Sequence, residues 1–152
     1  MDADRALLRT LVRELHETVE VHDPYVRRAA SMTRAYLDHL LAMTPASDGR
    51  IWIAEDDHDA LGYLCLFGRL VDEEPDERPV PYAFVADLYV RTSVRGHGIG
   101  RALLQRAEAH ARRLGVERIE LRVFADNADA RAFYRAVGYR DRIVTMVKLI
   151  QR

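Results

Sequence analysis

The sequence predicts an α/β (α+β) domain with a mostly antiparallel sheet that contains one parallel strand pair and is flanked by helices. The predicted elements follow the order ααβββαβαβ, and the helix between the third and fourth strands makes those strands a parallel pair across a crossover. The 152 residues, 49% of them hydrophobic and 31% charged, suit a single core. We therefore expect residues 1–152 to form one domain.

The first half of the chain predicts two helices and a β-hairpin. Apolar residues recur at helical spacing through residues 4 to 20, which indicates an amphipathic helix. Asp23-Pro24 has the residue types of a helix start, and Thr44-Pro45 would end that second helix. Strands at Arg50–Glu55 and Leu61–Phe67 flank a short polar turn, so they should pair as a hairpin.

The second half is predicted to alternate strands and helices. A strand at Tyr82–Val90 leads into a glycine-rich turn and a helix at Ile99–Leu114, which Gly115 closes. The remaining predicted elements are a strand at Val116–Phe124, a helix capped by Asp126 or Asn127 that ends before Gly138, and a last strand at Ile143–Ile150.

Charge and composition argue against several classes of protein. The formal net charge of −1 and the lack of a basic run with interleaved aromatics disfavour nucleic-acid binding. No stretch is apolar over the length that crosses a membrane, and the first residues lack a signal-peptide pattern. Cys65 is the single cysteine, so we expect a cytoplasmic protein without an intrachain disulfide. The six histidines show no metal-ligand spacing, so we expect no metal.

The most informative segment is the turn between the strand at Tyr82–Val90 and the helix that follows it. It reads Arg95-Gly96-His97-Gly98-Ile99-Gly100-Arg101. The first turn of a helix has N–H groups without intrahelical partners and carries partial positive charge, and glycines leave that backbone open to an anion. A dinucleotide turn would need glycine where Arg101 stands, and the Gly-Lys pair of a Walker loop is absent. The pattern predicts a binding site for a phosphate or diphosphate. The simpler interpretation is that the glycine-rich segment only reverses the direction of the chain.

Two motifs in this part of the chain resemble the GNAT superfamily of N-acetyltransferases. The segment from Arg95 to Gly100 reads Arg-x-x-Gly-x-Gly, a form of that family's acetyl-CoA pyrophosphate motif. Residues 126 to 139, with the pair Phe133-Tyr134 ahead of Gly138, resemble the family's later motif. The motifs occur in the family's order with an apolar strand between them. The resemblance covers residues 82 to 140 closely and implies a GNAT-like sheet in which the parallel strands splay apart.

The resemblance also implies which residues bind acetyl-CoA. The pantetheine amides would pair with exposed backbone of the third strand, and the pyrophosphate would lie on the N–H groups of the glycine-rich turn. Two arginines of the turn would offer guanidinium groups to phosphate, unless they are only solvated surface charges. A later asparagine would bind the pantetheine chain, although it also suits a plain helix cap. These residues are Leu88, Tyr89, Val90, Arg95, Gly96, His97, Gly98, Ile99, Gly100, Arg101 and Asn127.

Tyr134 stands where the family places the general acid that protonates the departing thiolate. A phenol with a pKa of about 10 keeps its proton at neutral pH; the alternative is that Tyr134 only packs. Phe84 and Ala86 stand where many family members carry a glutamate base. Asp87 is the acid of that strand and the candidate base, able to act through water, to orient the amine, or only to form a salt bridge. Glu120 on the neighbouring strand is a weaker candidate.

These observations predict an N-acetyltransferase that moves the acetyl group of acetyl-CoA to a primary amine by direct attack in a ternary complex. No motif in residues 20 to 50 or 70 to 82 identifies the acceptor, which is a small molecule or a protein amine. The sequence is also compatible with a homodimer. The acidic loop, residues 72 to 77, would steer a cationic amine if it is not simply solvated. The alternative function is a non-catalytic acyl-CoA-binding or regulatory module on the same fold.

Overall fold

In the computed structural model, residues 2–150 are described, apart from the side chain of residue 2. They form a four-stranded sheet, four α-helices and a short 3₁₀ helix. The helices are α1 (Asp2–Val19), α2 (Ala29–Ala46), α3 (Ile99–Arg113) and α4 (Ala128–Ala136). The strands are β1 (Arg50–Glu55), β2 (Ala60–Leu70), β3 (Tyr82–Val90) and β4 (Ile119–Leu121).

The sheet has the strand order β1-β2-β3-β4. The β1–β2 and β2–β3 pairs are antiparallel, and β3 and β4 are parallel, with α3 between them in the chain. This arrangement confirms the predicted fold class, a mixed α/β protein with a mostly antiparallel sheet and one parallel pair.

Helices cover both faces of the sheet. Alternate residues of β2 face in opposite directions, and both sets are buried. Tyr63 and Cys65 pack with residues of α1 and α2 in one buried cluster. Leu64 lies on the other face, together with its ladder partner Trp52. The Trp52 ring meets His110 of α3 there, with ring centroids 5.9 Å apart. Thus α1 and α2 cover one face, and α3 covers the other.

A β-bulge interrupts the ladder between β2 and β3. Cys65 pairs with Asp87, but the next residue of β2, Leu66, pairs with Val85. Ala86 is therefore the extra residue of a bulge, which lets one strand carry two residues opposite one on its neighbour.

The bulge brings Phe84 and Asp87 to the same face of the sheet. In a regular strand, residues three apart point in opposite directions. With the extra residue in place, Phe84 stacks on Phe67 with ring centroids 6.5 Å apart, and Asp87 lies beside Tyr63. Both side chains therefore point toward α1 and α2.

The parallel ladder is shorter than the sequence predicts. It joins residues 83 to 85 of β3 to Ile119–Leu121, and the predicted strand at Val116–Phe124 is ladder-bonded only over this stretch. From residue 86 to Val90, no residue described in β4 pairs with β3. The two strands separate after Val85, so the edge of β3 that faces β4 is left open.

The second helix begins later than predicted. Residues 20–28 form turns and bends, and the Asp23 carboxylate accepts the N–H of Tyr25 at 2.8 Å in a local turn. Ala29 begins α2, and its N–H donates to the Glu20 carboxylate at 2.7 Å. The predicted start at Asp23-Pro24 was wrong because a local turn uses Asp23 and the Glu20 carboxylate receives the first helical N–H.

The same helix also ends later than predicted, at Ala46 and beyond Thr44-Pro45. Pro45 has no backbone N–H, so it removes one hydrogen bond of the helix. It lies in the last turn, and the residues after it still bond back to the helix. The N–H of Ser47 donates to the carbonyl of Met43 at 3.1 Å, and that of Gly49 donates to Thr44 at 2.7 Å. These bonds close the helix despite the proline.

The predicted last strand at Ile143–Ile150 was wrong. Residues 139–150 form neither helix nor strand. The apolar side chains of this segment are exposed, from 66% at Leu149 to 91% at Met146. A strand needs a ladder partner, and no residue of the described chain pairs with this segment.

The chain divides into two compact units, one that ends at Arg122 and one that begins at Val123. The first contains the sheet and α1 to α3, and the second contains α4 and the C-terminal segment. The single domain expected over residues 1–152 stays a prediction. Within residues 2–150, no helix is both long and apolar enough to cross a membrane. Over the same range, no group of His, Cys, Asp and Glu side chains is arranged to hold a metal ion.

Candidate active site

The end of β3 and the start of α3 form the predicted anion site. Val90 ends β3, a 3₁₀ turn spans Thr92–Val94, and α3 begins at Ile99 with Gly98 as its N-cap. Gly96 and Gly98 have φ angles of 81° and 82°, in the left-handed region that favours glycine. A Cβ built at either glycine would meet no atom within 4 Å. The outer surface of the turn is therefore open.

The backbone N–H groups of residues 96–101 have no acceptor within residues 2–150. The first N–H bonded back into the helix is that of Ala102, which donates to the Gly98 carbonyl at 3.0 Å. The first turn of α3 holds no acidic residue, so nothing there neutralises the positive end of the helix dipole. A phosphate group would satisfy these donors, and the residues present fit one.

The side chains of the turn bond mainly to the turn and to β3. Arg95 Nε donates to the Val90 carbonyl at 2.8 Å, and the guanidinium carbon lies 5.9 Å from the centroid of the Tyr89 ring. His97 Nδ1 lies 3.2 and 3.1 Å from two carbonyl oxygens of the turn, so its ring braces the backbone. Arg101 is exposed on the first turn of α3. Arg95 thus joins the predicted pantetheine-binding strand to the predicted pyrophosphate-binding turn.

The open edge of β3 lies next to this turn. The parallel ladder stops at Val85, whereas the β2 side of β3 stays paired as far as Val90. Leu88, Tyr89 and Val90 are therefore paired with β2 and have no partner in β4, although the Val90 carbonyl accepts from Arg95 Nε. An extended chain with amide groups can bind such an edge in the manner of an added strand.

Asp87 lies in a buried polar cluster and is only 7% exposed. Tyr36 Oη donates to Asp87 Oδ1, and Tyr63 Oη donates to Asp87 Oδ2, each at 2.8 Å. Burial raises the pKa of Asp87, while the Tyr63 bond, the charge of His16 and the Tyr36 bond oppose that rise.

The two tyrosines and the cysteine of this cluster keep their protons. Burial, followed by the charge of Asp87, raises the pKa of the Tyr36 and Tyr63 phenols. Burial also raises the pKa of the Cys65 thiol to about 12, although a bond with Thr44 opposes the rise. The two tyrosines therefore act as donors toward Asp87, and Cys65 is a small core residue.

Glu120, the second candidate base, is paired with Arg118. Arg118 Nε donates to Glu120 Oε1 at 2.6 Å, and Arg118 Nη2 donates to Asp72 Oδ2 at 2.9 Å. The guanidinium lies 4.5 Å from the centroid of the Tyr82 ring. Asp72 thus connects the start of the acidic loop to the sheet. The exposed acidic residues of this loop are Glu73, Glu74 and Asp76.

Sequence reasoning missed a clamp at the end of β3. Arg91 Nε and Nη2 each donate to the Glu14 carboxylate at 3.0 Å, and Nη1 contacts Asp59. This clamp joins the start of the glycine-rich turn to α1 and to the β1–β2 turn.

Sequence reasoning also missed both tyrosines that bond Asp87. Tyr36 lies on α2 one position before Leu37, at the edge of the apolar stripe of that helix. A tyrosine at such a position indicates a buried ring whose hydroxyl needs a hydrogen-bond partner. Nothing in the sequence pairs it with Asp87, because 51 positions separate the two residues.

Asn127 and Tyr134 lie in the second unit. Asn127 is the N-cap of α4, and its Oδ1 accepts the N–H of Ala130 at 3.2 Å. Tyr134 is half-buried and makes edge-on ring contacts with Phe133 and Tyr139, at centroid distances of 5.3 and 5.7 Å. The helix-cap interpretation of Asn127 is confirmed, and the acetyl-CoA roles of both residues stay predictions.

Comparison with known proteins shows the family of this chain. Residues 8–139 match the profile of the Acetyltransferase (GNAT) family. N-alpha-acetyltransferase 40 of Saccharomyces cerevisiae is 32% identical over 106 residues, covering 61% of this chain and 37% of that protein. The uncharacterised N-acetyltransferase YycN of Bacillus subtilis is 31% identical over 93 residues, covering 61% of this chain and 56% of that protein. The matches thus span less than two thirds of these curated relatives.

A solved structure has a similar fold. A candidate acetyl transferase from Pyrococcus furiosus superposes with a TM-score of 0.70 at 27% identity, and the match covers 91% of each chain.

Proposed function

Because this chain belongs to the GNAT family of acetyltransferases, we propose that it moves the acetyl group of acetyl-CoA to a primary amine by direct attack in a ternary complex. The observation that carries the proposal is the row of N–H groups at residues 96–101 without acceptors in the described chain. That row suits a pyrophosphate, and the open edge of β3 beside it suits the amides of pantetheine. Acetyl-CoA contains both of these groups.

The chemistry needs a neutral amine, an acid and a base. The amine nitrogen attacks the thioester carbon, the carbon–sulfur bond breaks, and the products are an acetylated amine and the CoA thiol. Tyr134 is the proposed acid toward the sulfur, and Asn127 is proposed to bind the pantetheine chain. Because a thiol has a pKa of about 8.5 and a phenol about 10, the gain comes from a hydrogen bond that strengthens as negative charge develops on sulfur. Asp87 is the proposed base.

The proposed acceptor class is a primary amine, either on a small molecule or on a protein. The name of the yeast relative is a reason to include a peptide α-amine in the test. A useful panel contains spermidine, lysine, kanamycin and a short peptide with a free N-terminus.

The test measures release of free CoA thiol from acetyl-CoA with each amine of the panel. The proposal predicts release above the amine-free rate with at least one amine, and acetylation of that amine by mass spectrometry. Tight acetyl-CoA binding without amine-dependent release across the panel would favour the non-catalytic acyl-CoA-binding module. The buried position of Asp87 is the observation in favour of that second candidate. Absence of acetyl-CoA binding would contradict both.

A further inference from the structure

The Tyr36 side chain connects the buried carboxylate of Asp87 to the protein surface. Of the two tyrosines that donate to its carboxylate, Tyr63 is 0% exposed, whereas Tyr36 on α2 is partly exposed. The Tyr36 ring lies between the buried His16 and the exposed His39, at centroid distances of 4.5 and 6.4 Å. Tyr36 therefore links the surface to the buried carboxylate.

We propose that the Tyr36 hydroxyl binds the acceptor amine and passes its proton to Asp87. This inference rests on the proposed acetyl transfer. Tyr36 donates its own hydrogen to Asp87 Oδ1, so its oxygen can only accept from any further partner, and an attacking amine supplies an N–H donor. After attack, the nitrogen gives a proton to the Tyr36 oxygen while the phenolic proton moves to Asp87 Oδ1. Tyr36 ends neutral, Asp87 ends as a carboxylic acid, and the reverse path returns the proton to water.

The position of Asp87 along β3 supports this path. It directly follows the bulge at Ala86 and lies beyond Val85, where the parallel ladder stops. It therefore directly precedes the strand segment proposed to bind pantetheine, and its carboxylate is turned toward α2. Burial makes this carboxylate easier to protonate than an ordinary aspartate, which suits a proton acceptor.

The other groups that face Asp87 are already engaged or buried. On β2, Tyr63 holds Oδ2 and the Cys65 thiol is 0% exposed. On α1, His16 is 7% exposed and its Nδ1 bonds a carbonyl of its own helix at 2.8 Å. Among these groups from α1, α2 and β2, Tyr36 is the one that is partly exposed.

The test compares Tyr36→Phe with Tyr63→Phe as a matched control. Each variant removes one hydroxyl that bonds the same carboxylate at 2.8 Å, but only Tyr36 is partly exposed. With the best amine of the panel, we expect kcat/KM for the amine to fall about 100-fold or more in Tyr36→Phe, the range of a lost proton-transfer group. Tyr63→Phe should lose less than about 10-fold. The acetyl-CoA Kd should stay unchanged in both.

A pH profile and a double variant separate proton transfer from packing. In the wild type, kcat/KM for the amine should fall more steeply below the raised pKa of Asp87 than protonation of the amine alone accounts for, and this added steepness should vanish in Asp87→Asn. Asp87→Asn combined with Tyr36→Phe should lose no more than either alone, because the two groups act on one proton.

Equal losses in Tyr36→Phe and Tyr63→Phe, or full activity in Tyr36→Phe, would overturn the inference and leave the proposed acetyl transfer standing. A wild-type protein without amine-dependent turnover would overturn both. If Tyr36→Phe does not fold, 3-fluorotyrosine incorporated at position 36 alone provides a second measurement. Its ¹⁹F resonance should shift when the amine is added, while a label at position 63 should not, and a silent label at position 36 contradicts the inference.

Discussion

Substitution of Gly98 tests the anion site directly. Its φ of 82° is unfavourable for any side chain, yet an added Cβ would meet no atom within 4 Å. Alanine at this position therefore carries only the left-handed backbone cost of about 1–2 kcal/mol. The same Cβ would stand on the open surface through which an anion reaches the N–H groups of residues 96–101. We expect Gly98→Ala to fold and to bind acetyl-CoA more weakly than the wild type.

Gly115, which follows α3 at its other end, provides a matched control. Its φ is 71°, and an added Cβ there also meets nothing within 4 Å. Gly115→Ala therefore has the same backbone cost, about 1–2 kcal/mol, without touching the N-terminus of the helix. At about 2–4 °C per kcal/mol for a chain of this size, both variants should lower Tm by roughly 2–8 °C. Only Gly98→Ala should change the affinity for acetyl-CoA.

Gly98→Glu adds a charge to the steric change. Two like charges about 4 Å apart repel by about 4 kcal/mol at an effective dielectric constant of about 20. That energy corresponds to a Kd about 1,000-fold weaker, and rotation of the side chain toward water leaves an expected loss of at least about 100-fold. Calorimetric titration with acetyl-CoA measures it. A folded Gly98→Glu protein with wild-type affinity, or an equal loss in Gly115→Ala, would refute an anion site at this turn.

Three further predictions concern the acid, the buried carboxylate and the acidic loop. Tyr134→Phe keeps the ring contacts and should lower kcat by about 10²–10⁴, the range for a lost general acid; full turnover in steady-state assays would leave Tyr134 a packing residue. Because burial raises the pKa of Asp87, its contribution to stability is present at acid pH and is lost as pH rises through the folded-state pKa. Asp87→Asn should therefore remove that decline when the free energy of unfolding in urea is followed from about pH 4 upward. A pH dependence identical to the wild type would contradict this. Neutral replacements in the acidic loop should raise KM for polycationic amines, less so at high salt because exposed charges are screened over about 8 Å, and leave acetyl-CoA binding unchanged. The residues to replace are Glu73, Glu74, Asp76 and Glu77, since Asp72 holds Arg118; an unchanged KM ratio between spermidine and a monoamine would make the loop a solvated surface.

The elements around the glycine-rich turn could be predicted because their signals are local. Apolar β-forming residues give β3 its observed bounds at Tyr82–Val90, and the glycines place the start of α3 at Ile99. Asn127 caps α4 as its residue type indicates. In each case a few neighbouring residues determine the structure, so the pattern is sufficient.

The failures arise where distant residues decide. Asp23-Pro24 has the residues of a helix start, but the carboxylate of Glu20 bonds the N–H of Ala29 and the helix begins there. The segment Ile143–Ile150 has strand propensity without a partner in the described chain. The contact between Tyr36 and Asp87 depends on the packing of α2 against the sheet, which neither local pattern contains.

The extra residue at Ala86 also affects how relatives are compared position by position. If a relative has a regular strand and is aligned from Tyr82 without a gap, the column of Asp87 holds a residue that faces the α3 side of the sheet. The residue that matches Asp87 in space then stands in the adjacent column. A single-residue gap at the bulge brings the two into register, so an acid with the role of Asp87 is to be sought across that gap rather than in the column of Asp87 itself.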